Sequence, residues 1–281
     1  MGGHRITQER TEAFRRHLRA EERGEGTAEK YLRDLSAFAA WLGERSVDRE
    51  AVADWKAHLL ERGYAPVTIN SMLAALHSFF AFAGWTECRV KYLSVQRKLF
   101  RDVSRELTRT EYERLLETAR SRGRERLALV IETICGTGIR VGEVKYITVE
   151  AARRGRVEIA LKGKIRTILL PGRLCRKLLK YARKKKIASG EIFLTGSGRS
   201  LSRRQIWSEL KSLCRHAGVN ASKVFPHNLR HLFATTFYRV SKDIAQLANI
   251  LGHSSVETTR IYLTTSGVEQ VRRLDRLGLI Q

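Results

Sequence analysis

Apolar side chains recur at helical spacing through the first third of the chain. In one segment they fall on a single helical face, at Tyr31, Leu35, Phe38 and Leu42. Thr27 is the predicted N-cap of that helix. A second helix is predicted to start near Asp48 and stop at Gly63, and Pro66 suits the first turn of a third. These elements predict a compact helical bundle that ends near Trp85.

The pattern changes after the bundle. From 93 to 105 the apolar periodicity weakens and basic residues dominate, which indicates an interdomain linker. A second domain is predicted to begin at Glu106, where Thr108 and Glu111 match a capping box. RLALVIETICGTGIRVGEV then predicts an apolar helix, a glycine break and more helix.

The only convincing β signal lies in the segments RVEIAL and RTILL. They flank a short KGK turn and predict a β-hairpin with lysines at its tip. Three further amphipathic helices are expected in LSRRQIWSELKSLCRHAG, HNLRHLFATTFYRV and SKDIAQLANILG. The fold class predicted is therefore mainly α, with a helical bundle at 1–92 and a mostly helical domain with a small antiparallel sheet at 106–281.

The charge balance narrows the choice of partner. The chain has 53 Lys and Arg against 29 Asp and Glu, a formal net charge of +24. A body this positive favours an acidic partner, and phosphate backbones are the usual one. No apolar run of bilayer-spanning length and no signal peptide are evident, so a cytoplasmic location is expected. The four separated cysteines favour reduced thiols over a zinc or disulfide framework.

Two arginine segments are candidates for binding an anion. In HNLRH, His227 and Arg230 stand three positions apart and would share one helical face, close to the free amides of a first turn. Such a pair is by itself more often a solvated surface, and His231 is expected to be structural. In GTGIRVGEV, Arg140 could be fixed at a tight turn and oriented by Glu143, although an exposed arginine after a helix break is the simpler interpretation.

The remaining candidates could supply proton transfer and a nucleophile. Lys162 and Lys164 lie at the hairpin tip, where either could donate a proton to a leaving oxygen or simply be solvated. In LGHSSVETTRIYL, Gly252 is a predicted helix C-cap that positions His253, and Tyr262 follows nine positions later. Tyr262 could be packing or a nucleophile. Taken together, the set suits phosphoryl transfer in which arginines neutralise the phosphate, with no metal or cofactor expected.

In their order and spacing these segments resemble the tyrosine recombinase (phage integrase) family. TGIRVGE resembles the family's first arginine box, PHNLRH its His-x-x-Arg box, LGHSSVETTRIY its His-to-Tyr segment, and KGKIRTILLP its lysine hairpin. The resemblance covers Glu106 to about Tyr262 well. The N-terminal bundle is similar to the family's core-binding, DNA-clamping domain by its helical pattern only.

The resemblance implies a role for each residue. Arg140 and Arg230 would clamp the scissile phosphate, and His253 would donate a hydrogen bond to it. His227 would assist proton transfer, and Tyr262 would attack the phosphorus to form a 3′-phosphotyrosyl link. Lys162 would protonate the leaving 5′ oxygen; Lys164 is an alternative because the hairpin tip is a residue shorter than the usual family form.

The resemblance also implies partners. Double-stranded DNA would be bound by a homotetramer built as a pair of dimers, with a C-terminal tail from about 266 to 281 docking in trans. A compact Xer-like or mobile-element type is expected, since no arm-binding domain precedes the bundle, and the location would be the cytoplasmic nucleoid. The alternatives are a type IB topoisomerase, a catalytically idle DNA-binding protein on the same fold, and a plain nucleic-acid-binding regulator.

Overall fold

The computed structural model describes residues 4–95, 103–161, 164–253, 255–262, 271 and 275–277. The chain divides into two compact units, Met1–Arg97 and Lys98–Gln281. The division falls inside the segment 93–105 that the sequence marks as a linker. Leu93 exchanges two hydrogen bonds with the side chain of Asn70, so the N-terminal unit extends at least to Leu93.

The N-terminal unit is a helical bundle, as predicted. Its helices are α1 (Gln8–Ala20), α2 (Glu25–Leu42), α3 (Arg49–Glu61) and α4 (Pro66–Ala83), followed by a 3-10 turn at Thr86–Cys88. Asp48 caps α3 through its side chain and Pro66 opens α4, which confirms both predictions. The prediction for Thr27 is wrong. The Gly24 carbonyl already accepts the amide of Thr27 at 2.7 Å, so α2 begins a turn earlier than its strongest local cap signal.

Aromatic side chains fill the core of this unit. Its largest fully buried members are Phe14, Phe38, Trp55, Phe79 and Phe80. Among the described residues α4 is a helix long and apolar enough to cross a membrane by length and composition, with a mean hydropathy of 1.3 over 18 residues. The expectation that no such stretch exists is therefore corrected. The buried side chains of α4 pack in the bundle core, which explains its apolar composition.

The C-terminal unit is mostly helical with one small sheet, which confirms the predicted fold class. Its elements are α5 (Arg109–Ser121), α6 (Glu125–Thr137), a 3-10 helix (Val141–Tyr146), α7 (Val149–Arg154), β1 (Arg156–Leu161), β2 (Lys164–Leu169), α8 (Gly172–Lys184), α9 (Arg203–Ala217), α10 (Pro226–Ser241), α11 (Ile244–Leu251), α12 (Val256–Thr259) and a 3-10 turn (Arg260–Tyr262). The capping box of Thr108 and Glu111 is confirmed.

The strands β1 and β2 pair antiparallel, with Arg156 opposite Leu169 and Leu161 opposite Lys164. The hairpin prediction is confirmed. The helix expected after the glycine break is a 3-10 helix, in which the Arg140 carbonyl accepts the amide of Glu143 at 2.8 Å. Helix α8 has no counterpart among the predicted elements, although its buried residues follow helical spacing.

Helix α6 lies at the centre of this unit and positions the rest. Six of its apolar side chains between Leu127 and Ile134 are buried, and so is Thr133 among them. Helices α5, α8 and α10 pack around it. A separate small cluster joins α10, α11 and the segment after α12, through Ala234, Leu247, Leu251 and Tyr262. The end of α6 and this cluster meet where the candidate residues lie.

Candidate active site

The loop after α6 carries Arg140. The helix ends at Gly138 with φ +64°, and a Cβ there would lie 2.5 Å from the ring of Phe233 on α10, so only glycine fits. Arg140 donates from Nη2 to the carbonyl of Gly252 at 2.9 Å. Its side chain stays 43% exposed, so one face of the guanidinium remains open to a ligand.

Glu143 orients that arginine, as the sequence suggested. Its Oε1 accepts from Arg140 Nη1 at 3.0 Å and its Oε2 accepts from the Arg140 amide at 2.9 Å. Burial alone would raise the pKa of Glu143, but the backbone hydrogen bond and the charges of Arg166 and Arg140 outweigh it and lower the pKa. Glu143 is therefore ionised at neutral pH.

Arg230 lies on α10 and is only 4% exposed. Its Nη1 donates to the Gly138 carbonyl and its Nη2 to the Leu251 carbonyl at 2.7 Å, so the ends of α6 and α11 hold it in place. Burial, followed by the charges of Arg140 and Arg166, lowers its pKa to about 10. It remains a cation at neutral pH and has no carboxylate partner among its described contacts.

His253 follows the C-cap of α11, where Gly252 has φ +61°, as predicted. Its Nε2 lies 3.1 Å from Arg230 Nη2, and its Nδ1 lies 2.8 Å from the hydroxyl of the buried Thr259. Because the guanidinium can only donate, Nε2 accepts here and Nδ1 carries the proton. Burial and then Arg230 and Arg140 lower the pKa of His253 to about 4, so the ring is neutral at pH 7.

Tyr262 is 4% exposed and packs in the small cluster between α10 and α11. Its ring stacks on His253 at 6.1 Å between centroids, with 14° between the planes. The Tyr262 ring also contacts the ring of His231, with 5.1 Å between the centroids. Interaction with the Tyr262 side chain raises the pKa of Arg230, opposing the effect of burial. The tyrosine, His253 and Arg230 therefore share one site.

The two histidines of α10 differ in setting. His227 lies at an exposed position in the first turn, yet partial burial of its ring and then the charge of Arg230 lower its pKa. His231 is half-buried, with Nε2 3.6 Å from Glu106 Oε1. Its ring contacts that of Tyr262, and its structural role stays a prediction. Lys162 lies outside the described residues, and Lys164 is described only as the first residue of β2.

Arg166 is a site residue that the sequence interpretation missed. It extends from β2 and donates from Nη1 to Glu143 Oε2 at 2.7 Å and from Nη2 to the Ile250 carbonyl at 2.9 Å. Its strand partner is the buried Ile159, and Ile168, two positions on, is also buried. A charged residue at a core-facing position of an alternating strand was the available signal.

One group of potential metal donors occurs in the N-terminal unit. His4, Glu87 and Cys88 bring donor atoms within 4.8 Å of one another. His4 Nε2 and Glu87 Oε1 already share a hydrogen bond of 2.6 Å. Burial, and then the charges of Glu87 and Asp48, raise the pKa of the Cys88 thiol to about 11, which disfavours the thiolate that a metal needs. The described contacts are those of a hydrogen-bonded pair beside a buried thiol.

The active-site arrangement suits an anion. The guanidiniums of Arg140 and Arg166 share a single described carboxylate, that of Glu143, and Arg230 adds a third cation beside them. The positive excess is fixed by backbone carbonyls rather than by solvent, so it is preorganised. Beside it stands a tyrosine hydroxyl, which is a nucleophile when its proton is removed. These features together suit phosphoryl transfer to tyrosine.

Comparison with known proteins shows which family the chain resembles. A family model described as phage integrase family matches residues 105–267, and one described as phage integrase, N-terminal SAM-like domain matches residues 11–87. The tyrosine recombinase XerC of Roseiflexus castenholzii is 32% identical over 90% of this chain and 88% of its own length. The tyrosine recombinase XerA of Pyrococcus furiosus is 29% identical over 96% and 94%.

Solved structures share the fold. The XerH recombinase bound to a palindromic difH substrate, a post-cleavage complex, has a TM-score of 0.69 at 18% identity and covers 99% of both chains. A lambda integrase tetramer bound to a Holliday junction has a TM-score of 0.73 at 16% identity, over 90% of this chain and 76% of that one. The chain belongs to the phage integrase family. It is a tyrosine-type site-specific DNA recombinase.

Proposed function

We propose that Tyr262 is the nucleophile of this recombinase and that the guanidiniums beside it bind the scissile phosphate. The observation that carries the proposal is the convergence of Tyr262, His253 and Arg230, with Nε2 of the histidine 3.1 Å from Nη2 of the arginine. In the reaction the tyrosine oxygen forms a bond to phosphorus as the bond to the 5′ oxygen breaks. The products are a 3′-phosphotyrosyl link and a free 5′ hydroxyl. Religation by another strand reverses these steps.

The arginines would neutralise the non-bridging oxygens. Arg140 has an open face, and Arg230 already points one Nη at His253. A bound phosphate would accept the hydrogen bond that Arg230 now donates to His253. With its proton moved to Nε2, His253 would then donate to the same phosphate. His227, kept neutral by its lowered pKa, is suited to carry the Tyr262 proton. Lys162, or Lys164 in its place, would protonate the leaving 5′ oxygen.

The partner proposed is double-stranded DNA carrying a recombination site, contacted by both units. Helix α9 supports this, because four basic residues and an exposed tryptophan lie along its outer positions, at Arg203, Arg204, Trp207, Lys211 and Arg215. Lys211 Nζ lies 5.3 Å from the centroid of the Trp207 ring. Such a face can bind a phosphate backbone without reading its sequence.

The assembly proposed is a homotetramer that acts as a pair of dimers on DNA. The lambda integrase structure, a tetramer on a Holliday junction, supports it by fold alone. The tail from 266 to 281 would dock in trans on a neighbouring protomer. Most of that tail lies outside the described residues; two of its apolar residues, Val271 and Leu277, are described and exposed. Work on chromosomal or mobile-element DNA would place the protein in the nucleoid.

The test is covalent trapping on nicked DNA. The protein would be incubated with a library of end-labelled, nicked fragments from the source genome and its mobile elements, in EDTA, beside Tyr262→Phe. We expect a denaturation-resistant adduct with the wild type alone, and sequencing of the trapped DNA would give the site. Binding without any adduct would contradict the nucleophile assignment. Plasmid relaxation without the trapped site would instead indicate a topoisomerase.

A further inference from the structure

Arg166 joins three segments of the active site. Its own backbone belongs to β2, its Nη1 bonds Glu143 on the 3-10 helix, and its Nη2 bonds the Ile250 carbonyl near the end of α11. Its side chain is 12% exposed. Since each segment carries or adjoins a different reacting residue, this one side chain links their positions.

Glu143 extends the link to the phosphate-binding arginine. Its two oxygens divide between the guanidiniums of Arg166 and Arg140, at 2.7 Å and 3.0 Å. Arg140 in turn donates to the Gly252 carbonyl at 2.9 Å. The chain of contacts therefore runs from the hairpin through Glu143 to Arg140 and closes at the residue before His253.

Gly252 completes the arrangement because it has no side chain. A Cβ there would lie 2.5 Å from Cδ and 2.6 Å from Nε of Arg166. The Nε atom is buried without a hydrogen-bond partner, so the guanidinium stem packs directly on the glycine. The φ of +61° disfavours a side chain as well. Two independent constraints thus require glycine at this position.

The guanidinium of Arg166 is held by protein acceptors, and its side chain is only 12% exposed. Both Nη atoms bond protein acceptors and Nε is covered, whereas the Arg140 side chain is 43% exposed. None of its hydrogen bonds goes to Arg230, His253 or Tyr262. It is therefore placed to act through other residues and not on the phosphate.

We propose that Arg166 is a positioning residue that, packed on Gly252 and bonded to Glu143 and the Ile250 carbonyl, fixes the Arg140 loop and the His253 turn relative to the hairpin. This inference rests on the proposed function, because the positioned groups are those assigned to the phosphate. A misplacement of about 1 Å at such groups costs about 100-fold in rate.

The first test compares rate with affinity in Arg166→Met and Arg166→Lys, beside Arg156→Met as a matched control on β1. Arg156 is exposed, and its described ion pair is with Glu158. On the trapped site, single-turnover cleavage by Arg166→Met should fall about 100-fold while Kd stays within about twofold. Arg166→Lys can bond one of the two acceptors, so its cleavage rate should be about tenfold higher than that of Arg166→Met. Arg156→Met should cleave like the wild type.

Gly252→Ala tests the packing and needs no removal of charge. We expect it to slow cleavage in the wild type and to add much less to the loss in Arg166→Met, since both changes break one contact. Thermal melts accompany every variant; should Arg166→Met not fold, the lysine and alanine variants decide. Wild-type rates in Arg166→Lys and Gly252→Ala, or equal losses in rate and affinity, would overturn the proposal.

A readout without DNA separates this inference from the proposed function. The titratable groups that face His253 are the cations Arg230, Arg140 and Arg166 and the imidazole of His227. Removing one of these cations should raise the imidazole pKa of His253, measured by NMR titration, in Arg166→Met but not in Arg156→Met. An unchanged pKa would defeat the positioning role. Absence of any wild-type adduct, with the pKa change present, would count against the nucleophile assignment alone.

Discussion

The two units bury charge in different ways. In the described part of the N-terminal unit the buried charged side chain is Asp34, which bonds Lys30 one turn away on the same helix. In the described part of the C-terminal unit the buried carboxylate of Glu143 faces Arg140 and Arg166, and the buried Arg230 bonds carbonyls and His253. The first arrangement is balanced within one helix. The second keeps an excess of positive charge that is favourable only when an anion is bound.

The largest expected effect is on catalysis at Arg230. Arg230→Lys keeps the charge but cannot reach both the Gly138 and Leu251 carbonyls, so the remaining cation is misdirected. We expect cleavage of the trapped site to fall about 10²–10³-fold with affinity nearly unchanged. Single-turnover assays measure it, with Arg239→Lys on the exposed part of α10 as the control. A rate near that of the wild type would mean that the buried arginine is structural, and the contrast in how the two units use buried charge would be lost.

Removing one charge from each unit compares them directly. Glu143→Gln leaves the guanidiniums of Arg140 and Arg166 without their carboxylate and should lower the free energy of unfolding by about 3 kcal/mol. Lys30→Met removes a partly exposed partner and leaves the buried Asp34 beside Arg33, so it should cost about 1 kcal/mol. Hydrogen exchange reports the stability of each unit separately. Equal losses would remove the contrast between a balanced and an unbalanced unit.

Inorganic phosphate should stabilise the C-terminal unit selectively. At ten times its Kd a ligand that binds only the folded state adds about 1.4 kcal/mol. We expect protection from exchange around α6 and α10, absent in α2 and α4, and weaker in Arg230→Lys. Sodium chloride at matched ionic strength is the control. Equal protection of both units would indicate general salt binding.

The smallest effect concerns pH. The pKa of His253 is about 4 in the folded protein, below the ordinary value of 6.5 for a histidine, so the unfolded chain binds more protons between these values. The free energy of unfolding should therefore decrease as the pH falls from 6.5 toward 4, and His253→Asn should flatten that slope. Denaturation at successive pH values measures both. The same slope in the variant would mean that other groups, such as His77 with its lowered pKa in the N-terminal unit, account for it.

Much of the fold could be read locally. The capping box at Thr108, the proline at the start of α4 and the glycine end of α11 are set by neighbours within a turn, so their sequence signals were sufficient. Helix α8 carries the same kind of signal and was overlooked. The prediction for Thr27 fails for the opposite reason, because the carbonyl of Gly24, three residues earlier, accepts the Thr27 amide.

The candidate site was predicted as a set of residues and not as a geometry. Arg140, Arg230, His253 and Tyr262 were recognisable from residue type, order and spacing, because phosphoryl transfer needs cations and a nucleophile. Arg166 and Thr259 were not, since an arginine in a strand and a threonine in a short helix carry no chemical signature on their own. Their parts depend on contacts with Glu143 and His253.

By itself the sequence determined the helical periodicity, the hairpin, the basic charge and the chemical groups available, because each is a property of nearby residues or of their sum. Only the tertiary structure decided which of those groups meet. Arg140 reaches Gly252 across 112 positions, and Arg166 reaches Ile250 across 84. Such contacts form because helices α6, α10 and α11 bury their apolar faces together. That packing determines which acceptors lie within reach of each charged side chain.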